Sequence, residues 1–222
     1  MNKTKLDISV SLDGYVAGPN QSLDEPLGEG GEALHEWVIG LDSWRQTHGK
    51  EGGETGAESE LVEASTSATG ASIMGRRMYS SGSGPWEDDP KARGWWGDVP
   101  PFGHPVFVLT HHPREPLEME GGTSFHFVTD GIESALEQAR AAAGERDVHV
   151  AGGAQAAQQY LSAGLVDELT LHVSPLMLGA GERLFDGVTS PREVELIGAV
   201  DGPDATHLRY RYGSSSDPLS GS

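Results

Sequence analysis

The chain has 222 residues, of which 36 % are hydrophobic, enough to form the core of one large α/β domain or of two small ones. It contains no cysteine, which excludes disulfides, thiolate metal sites and cysteine nucleophiles. With 15 Lys and Arg against 34 Asp and Glu, the formal net charge is −19, and a field of this sign repels nucleic acids and anionic membranes. A site for an anionic ligand therefore has to be made from local cations and backbone N–H groups.

The amino-terminal residues and the hydropathy of the chain indicate its location. Residues 1–7 lead into an alternating strand rather than into the apolar core of a signal peptide. No apolar stretch of the sequence approaches the ~20 residues that a membrane span requires. We expect a soluble, cytoplasmic protein without a nucleic-acid or membrane partner.

The first third of the chain predicts a strand, an amphipathic helix and a surface loop. Residues Leu6 to Leu12 alternate between apolar and polar types and stop at Asp13-Gly14, which is typical of a strand followed by a turn. Between Gly31 and Trp44, apolar residues recur every three or four positions, which predicts one helix. Residues 46–60 are glycine-rich and acidic, so we expect an exposed loop there, followed by a helix from Leu61 to Thr69.

Three short apolar segments in the middle of the chain predict strands that end at residues suited to phosphate binding. The segments and the residues that follow them are Ala71–Met74 before Gly75-Arg76-Arg77, Val106–Leu109 before Thr110-His111-His112, and Val148–Ala151 before Gly152-Gly153. The glycine pair lets the main chain approach a ligand closely, and the helix predicted after it offers unpaired N–H groups and the positive end of its dipole to an anion. Together the three strand ends predict a nucleotide-binding crevice.

The carboxyl-terminal part of the chain predicts an edge of the sheet. Residues 167–175 form a predicted strand closed by proline, and residues 193–200 and 207–212 alternate like a terminal antiparallel pair. Strands that alternate with helices in the middle of the chain, followed by this pair, predict a mostly parallel sheet covered on both faces, with an antiparallel C-terminal edge. We expect one domain over residues 1–212 and a disordered tail over residues 213–222.

Six segments of the chain carry a family resemblance. In chain order they are Ser11–Gly18, Ile73–Arg76, Val108–Thr110, Val150–Gly153, Leu165–Leu169 and Pro175–Phe185. The set resembles the ordered motifs of the RibD C-terminal-domain family, the dihydrofolate-reductase-like group that includes the riboflavin-pathway pyrimidine reductase, and it covers residues 5–212. The resemblance implies a dihydrofolate-reductase-like three-layer αβα fold, NADPH as cofactor, and a homodimer built through sheet-edge or C-terminal elements.

The same resemblance implies which residues hold the cofactor. The pair Gly152-Gly153, often joined by a cis peptide in such reductases, holds the pyrophosphate together with the helix behind it. Gly75 to Arg77 lie against the phosphates. Thr110 and His111 occupy the positions at which members of the family contact the adenosine ribose and its 2′-phosphate. The complete candidate set is Ala17, Gly75, Arg76, Arg77, Thr110, His111, Ala151, Gly152, Gly153, Ala154 and Gln155.

Some of these assignments have structural alternatives. Arg76 and Arg77 are also typical of a solvated helix start, and His111 and His112 of a polar loop. If Arg76 binds the 2′-phosphate, its replacement by alanine is expected to weaken NADPH much more than NADH. The nine histidines include no helical His-x-x-x-His pair, and with no cysteine in the chain we expect no metal site.

Candidates for proton transfer and substrate contact are few. Asp13 is an acid at the end of the first strand, but its role as a turn residue before a glycine is slightly favoured. Glu36 lies on the predicted first helix, where true dihydrofolate reductases carry the carboxylate that protonates the pterin. The Leu-Pro-Trp segment that precedes this helix in those enzymes is missing, so folate is not the expected substrate. Trp86 and Trp96 form either an aromatic wall beside the nicotinamide or a lid that only covers the core.

These features favour an NADPH-dependent reductase that transfers a hydride to a small heterocyclic or carbonyl substrate. The riboflavin-pathway pyrimidine reductase is an alternative, although its phosphorylated substrate needs a lysine and arginine cluster that we do not find in the sequence. A second alternative is an NADP(H)-binding protein without turnover that serves as a sensor or assembly subunit. A third is a purely structural dimer with an empty cleft.

Overall fold

The computed structural model describes residues 2–188 and 194–212, which form one large sheet, one small sheet and helices on both faces of the large sheet. The predicted tail over residues 213–222 lies outside the described residues, and so does Glu193 at the start of a predicted strand. Among the helices of these two ranges, none combines the length and the apolar composition that a membrane-spanning helix needs.

The elements alternate between strands and helices through the middle of the chain. The strands are β1 (Thr4–Ser11), β2 (Tyr15–Ala17), β3 (Thr69–Gly75), β4 (Pro105–Leu109), β5 (Leu117–Glu118), β6 (Ser124–Val128), β7 (Asp147–Gly152), β8 (Glu168–Ser174), β9 (Glu182–Arg183), β10 (Val194–Asp201) and β11 (Thr206–Tyr212). The α-helices are α1 (Glu36–Ile39), α2 (Asp42–Thr47), α3 (Ala57–Ala68), α4 (Arg76–Ser80), α5 (Ile132–Ala143) and α6 (Ala154–Ala163). Short 3-10 helices cover Gly31–His35, Trp86–Asp88 and Glu120–Gly122.

The large sheet has nine strands in the order β10-β11-β8-β1-β7-β3-β4-β6-β5. The six central strands from β8 to β6 run parallel to one another, and β10 and β11 add the antiparallel C-terminal edge. This confirms the predicted α/β fold with its mostly parallel sheet. Strand β5 forms a second antiparallel edge that the sequence did not predict, and β2 pairs with β9 in the small sheet.

One face of the large sheet carries the apolar core under α5 and α6. Along β1, Leu6, Ile8 and Val10 belong to this core, because alternate side chains of a strand lie on the same face. Leu136 of α5 and Leu161 of α6 pack in the same cluster and are almost inaccessible to solvent. Burial of each such side chain contributes roughly 1.5–3 kcal/mol, so this layer holds both helices on the sheet.

The opposite face of the sheet carries polar side chains under α1 and α3. The indole Nε1 of Trp37 donates to the Ser9 hydroxyl of β1 at 3.1 Å. Two residues earlier on the same strand, Asp7 accepts a hydrogen bond from the Ser65 hydroxyl of α3. These bonds satisfy polar groups that the covering helices remove from water.

A chain of three side chains, the Glu58–His207–His172 chain, links α3 to β11 and β8 on this polar face. Nε2 of His207 donates to a Glu58 oxygen at 2.8 Å, because a carboxylate only accepts hydrogen bonds. The Nδ1 atoms of His207 and His172 lie 2.8 Å apart, so one of them donates to the other. Burial is the main cause that lowers the pKa of His172 to about 4.

The prediction of one continuous helix from Gly31 to Trp44 is wrong. The structure has a 3-10 helix followed by α1 and α2, and Leu41 between the two α-helices is extended, with φ −71° and ψ 141°. The interruption comes from Glu54, whose N–H donates to the Gly40 carbonyl and whose carbonyl accepts from the Asp42 N–H, each at 2.9 Å. Apolar spacing could not reveal this contact, because Glu54 lies further along the chain.

Residues 46–60 are only in part the exposed loop that the composition predicts. Helix α3 begins at Ala57, before the predicted start at Leu61. Glu58 and Ser59 of its first turn are buried, and both side chains accept hydrogen bonds from other elements. The prediction failed here because the partners of these polar side chains lie elsewhere in the sequence.

Candidate functional site

The carboxyl ends of β7, β3 and β4 lie side by side. In the parallel ladders, Met74 of β3 is opposite Gly152 of β7, and Gly75 is opposite Leu109 of β4. Neighbouring strands lie about 4.8 Å apart, so the three ends form an edge about 10 Å wide. The expectation that these strand ends meet, on which a nucleotide crevice depends, is confirmed.

The turn between β7 and α6 leaves room for a ligand. The peptide bond between Gly152 and Gly153 is cis, as the family resemblance implies, and the φ of Gly152 is +123°, which favours glycine. A Cβ built on Gly153 would meet nothing within 4 Å, so the space beside this residue is open. A Cβ on Gly75 would lie 3.7 Å from the Gly153 nitrogen, so the end of β3 lies against the same turn.

Helix α6 begins at this turn without a side-chain cap. Its first turn closes with the bond from the Ala157 N–H to the Gly153 carbonyl at 3.1 Å, so the N–H groups of Ala154 and Gln155 have no partner within the helix. These donors and the positive end of the helix dipole favour an anion. Ala151, the residue before the last of β7, is half-buried. The open glycine and the uncapped helix fit a pyrophosphate group.

Asp13 lies in the turn after β1, the strand next to β7. Its carboxylate accepts hydrogen bonds from the Ser11 hydroxyl at 2.6 Å and from the N–H groups of Leu178 at 3.1 Å and Gly179 at 2.7 Å. The Ser11 bond is the main cause that lowers the pKa of Asp13. The structure therefore shows the turn role, and a catalytic role for Asp13 stays a prediction. Ala17 follows this turn and is buried in β2.

Glu36 is the first residue of α1, and its side chain is exposed. The next residue, Trp37, packs its ring 4.6 Å from that of His172 in β8 and 4.7 Å from that of His207 in β11. In the sheet order, β8 and β11 lie on one side of β1, and β7, β3 and β4 lie on the other. The structure does not bring Glu36 to the ends of β3 and β4, and its catalytic role also stays a prediction.

Arg76 opens α4, and its guanidinium is engaged inside the protein. It donates to the Ser80 hydroxyl and pairs with a carboxylate oxygen of Asp89, and its central carbon lies 3.6 Å from the ring centroid of Trp86. The side chains of Arg76 and Asp89 are 8 % and 2 % exposed. Breaking such a buried pair costs roughly 3–5 kcal/mol, which a phosphate would have to offset. Arg77, by contrast, is exposed.

The residues after β4 form a polar turn that contacts Trp86. Thr110 is buried, and its hydroxyl oxygen accepts the His112 N–H at 3.1 Å. The His112 carbonyl accepts a hydrogen bond from Nε1 of Trp86 at 2.8 Å. The guanidinium carbon of Arg114 lies 4.9 Å from the Trp86 ring centroid, and His111 is exposed. Two cationic side chains, Arg76 after β3 and Arg114 after β4, therefore contact the same tryptophan ring.

Trp86 and Trp96 cover a second apolar core. Its buried residues are Met74, Tyr79, Val106, Val108 and Phe125. The ring centroids of Trp86 and Phe127 are 4.8 Å apart, and those of Trp96 and Phe102 are 5.0 Å apart. Phe102 in turn contacts Phe125, near the amino end of β6, at 6.1 Å. The ring centroids of Trp86 and Tyr79 are 5.9 Å apart, so Trp86 and Trp96 pack against one and the same core.

Trp86 and Trp96 both pack against the second apolar core. Trp86 lies beside the turn to which the family resemblance assigns the adenosine, and β7 and β3 stand between β4 and β1. The contacts are those of a lid that covers the core, one of the two alternatives. An aromatic wall of Trp86 and Trp96 beside the nicotinamide, with contact to the substrate, stays a prediction.

Comparisons with known proteins agree with this architecture. The model of the RibD C-terminal domain matches residues 3–208, nearly the whole chain. The chain belongs to the RibD C-terminal domain family. The family resemblance of the six sequence motifs is thereby confirmed.

Several relatives of this RibD C-terminal domain chain have been described. It is 26 % identical over 216 residues to the uncharacterized protein YwjB of Bacillus subtilis (strain 168), covering 94 % of the chain and 97 % of the relative. A putative riboflavin biosynthesis protein from Shewanella sp. PV-4 has a similar crystal structure, with a TM-score of 0.63, 20 % identity, and coverage of 95 % of this chain and 99 % of that one.

A larger relative shares the same fold over part of its length. It is the diaminohydroxyphosphoribosylaminopyrimidine deaminase/5-amino-6-(5-phosphoribosylamino)uracil reductase of Thermotoga maritima. The TM-score is 0.55 at 14 % identity, and the match covers 96 % of this chain and 57 % of that one. At such identities, the structural matches show the fold alone.

Sequence reasoning missed two groups of residues in this RibD C-terminal domain. One is Asp89, which binds Arg76 from a segment without any periodic pattern. The other is the Glu58–His207–His172 chain, whose members come from α3, β11 and β8. No local signal identifies either group, because each depends on side chains that meet only after the elements pack.

Proposed function

We propose that this RibD C-terminal domain protein is an NADPH-dependent reductase of a small heterocyclic or carbonyl substrate. The observation that carries the proposal is the meeting of three parallel strand ends at the open glycine turn before α6. Such a turn at the carboxyl edge of a sheet suits the pyrophosphate of a dinucleotide. NADPH is the dinucleotide that the family resemblance implies.

Short-range donors supply the affinity in this proposal. The net charge of −19 opposes an anionic cofactor at long range. Gly152, Gly153 and the first turn of α6 offer backbone N–H groups, and Gly75 allows the cofactor to approach the end of β3. Arg77 and His111, both exposed after neighbouring strands, are our candidates for the 2′-phosphate.

The proposed reaction divides its tasks between cofactor and protein. When bound, NADPH supplies a hydride. The protein orients the substrate against the cofactor on the β1 side of the edge and excludes water. Because hydrogen bonds lower its pKa, Asp13 is ionised at neutral pH, and we assign it the positioning of the loop at Leu178 and Gly179 rather than proton donation.

The names of the relatives favour a nitrogen heterocycle as substrate. The Thermotoga maritima relative is described as a uracil-derivative reductase and the Shewanella relative as a putative riboflavin biosynthesis protein. We carry over only the class, a pyrimidine-like ring. A phosphorylated pyrimidine is a second candidate, because Arg183 offers an exposed positive charge for a substrate phosphate beside the β1 turn. Its guanidinium carbon lies 4.7 Å from the centroid of the Tyr15 ring.

We also infer that a second copy of the chain pairs along β10. This strand is an edge of the large sheet, and its Val194 and Leu196 side chains are 45 % and 55 % exposed. An exposed apolar edge strand is a template for pairing with another strand. It is also the C-terminal edge through which the family resemblance implies a homodimer.

A combined binding and turnover experiment tests the proposed function. We expect NADPH to raise the Tm of the purified protein, because it binds only the folded state. We then expect the absorbance of NADPH to fall, as it is oxidised, when an aminopyrimidine is added. The panel of candidate substrates also contains pterins, quinones and a phosphorylated pyrimidine. Binding without oxidation across the panel would favour an NADP(H)-binding protein without turnover. If NADPH leaves the Tm unchanged, the dinucleotide site itself is contradicted.

A further inference from the structure

Trp86 lies at the centre of a set of contacts that joins α4 to the turn after β4. The central carbon of Arg76 lies 3.6 Å from its ring centroid, and that of Arg114 lies 4.9 Å from it, both within the range of cation–π attraction. Arg76 is itself held by Asp89 and by the Ser80 hydroxyl, which donates to the same Asp89 oxygen at 2.7 Å. The orientation of the indole ring is therefore set from the α4 side.

The same ring holds the turn that follows β4. Nε1 of Trp86 donates to the His112 carbonyl at 2.8 Å, and the His112 N–H donates to the Thr110 hydroxyl at 3.1 Å. The Thr110 N–H is bonded to the Val128 carbonyl of β6 at 3.0 Å. A continuous path of hydrogen bonds and ring contacts thus runs from Asp89 through Arg76 and Trp86 to Thr110.

We propose that Arg76 is a positioning residue, which holds Trp86 and, through it, the Thr110–His112 turn in place for the adenosine end of the cofactor. The inference rests on the proposed function. Arg76 does not bind the 2′-phosphate in this arrangement, because Ser80 and Asp89 engage its terminal nitrogens. Its Nε has no hydrogen-bond partner among the described residues, but it is buried away from the surface that a ligand reaches. The phosphate is left to exposed cations.

The test compares the Kd values of NADPH and NADH for matched variants. Arg76→Ala should weaken both dinucleotides by the same factor, on the order of tenfold, as expected for coupled neighbours. Arg76→Lys keeps the positive charge but lacks the planar guanidinium group with its several donors. It should therefore lose nearly as much affinity for both dinucleotides as Arg76→Ala does. Arg93→Ala removes an exposed arginine from the same irregular segment and should leave both Kd values unchanged. A loss for NADPH that is tenfold larger than the loss for NADH would overturn the inference.

A double-mutant cycle separates positioning from a general structural role. If Arg76 acts through Trp86, the variant that combines Arg76→Ala with Trp86→Ala should bind NADPH as weakly as Trp86→Ala alone. Additive losses would mean that the two side chains act independently, which contradicts the inference. Arg76→Lys replaces Arg76→Ala in the cycle if the alanine variant does not fold.

Hydrogen exchange gives a readout that needs no cofactor. The backbone amides of Thr110, His111, His112 and Arg114 should exchange faster in Arg76→Ala than in the wild type, and the amides of β1 serve as the internal reference. Unchanged exchange in this turn would overturn the inference. If the wild type binds neither dinucleotide, the proposed function fails, whereas the exchange result still decides whether Arg76 positions the turn.

Discussion

Gly153 has a backbone conformation that does not require glycine, and we propose that its missing side chain leaves room for the cofactor. Its φ of −68° and ψ of −168° are accessible to any residue, and an added Cβ would meet no atom within 4 Å. Its neighbour Gly152 has a φ of +123°, which L side chains rarely adopt. The two glycines therefore serve different purposes, one leaving space and the other making the turn.

Gly153→Ala is predicted to keep the stability of the protein and to lose NADPH affinity. Alanine can adopt the backbone conformation of Gly153. It also lowers the conformational entropy of the unfolded chain, which offsets small losses of stability in the folded state. The free energy of unfolding should therefore change by less than about 1 kcal/mol. The methyl group would occupy the space proposed for the pyrophosphate. Urea unfolding and NADPH titration measure the two effects.

Gly152→Ala is the matched control for this prediction. It should cost roughly 1–3 kcal/mol of unfolding free energy, because the backbone conformation is unfavourable for alanine. NADPH binding to Gly153→Ala with wild-type affinity would show that the open space is not the cofactor site.

Helix α3 is attached to the sheet through a polar contact as well as through packing. Glu58 in its first turn accepts a hydrogen bond from His207, which has no exposed surface. Glu60 lies on the same turn and is exposed. The two glutamates therefore form a matched pair for measuring what this contact contributes.

Glu58→Ala is predicted to lower the free energy of unfolding by about 1–3 kcal/mol, because it leaves the His207 donor buried without an acceptor. Glu60→Ala should change it by less than about 0.5 kcal/mol, as surface substitutions usually do. Urea unfolding of both variants at neutral pH provides the comparison. Equal effects of the two substitutions would show that the hydrogen bond does not hold α3.

Among the elements, the sequence predicted those that depend on local patterns. The alternation in β1 and the glycine pair before α6 located a strand and a helix start, because period and glycine freedom are properties of neighbouring residues. The break between α1 and α2 was not predictable. It depends on Glu54, which bonds to Gly40 and Asp42 across a loop.

The stability of the whole molecule should depend on pH through buried histidines. Burial is the main cause that lowers the pKa of both His104 and His172 to about 4, from an ordinary value of 6.5. Between these values, the unfolded chain binds more protons than the folded one, so the free energy of unfolding falls as the pH falls. Carboxyls with lowered pKa, such as Asp147, lose their contribution only below their ordinary value of 3.8.

We predict a loss of about 1 kcal/mol per histidine when the pH falls from about 7.5 to about 5.5. His104→Gln should remove the share of His104, which is about half of the combined loss of the two histidines. Glutamine can keep a hydrogen bond to Ser72, which contacts Nε2 of His104 at 2.8 Å. Urea unfolding at the two pH values measures the difference. A pH dependence that is the same in wild type and variant would contradict the assignment to His104.

The sequence by itself determined the fold class, the family and the edge at which three strands end. These follow from the periodicity of apolar residues, from the positions of glycines and from the order of the motifs. Each of these is a property of neighbouring residues or of their order in the chain. Only the tertiary structure decided that Arg76 turns inward to Asp89, and that Trp86 and Trp96 pack against one apolar core. The physical reason is that a charged or aromatic side chain takes its partner from whatever element packs beside it, and this neighbour is not encoded in the residues next to it.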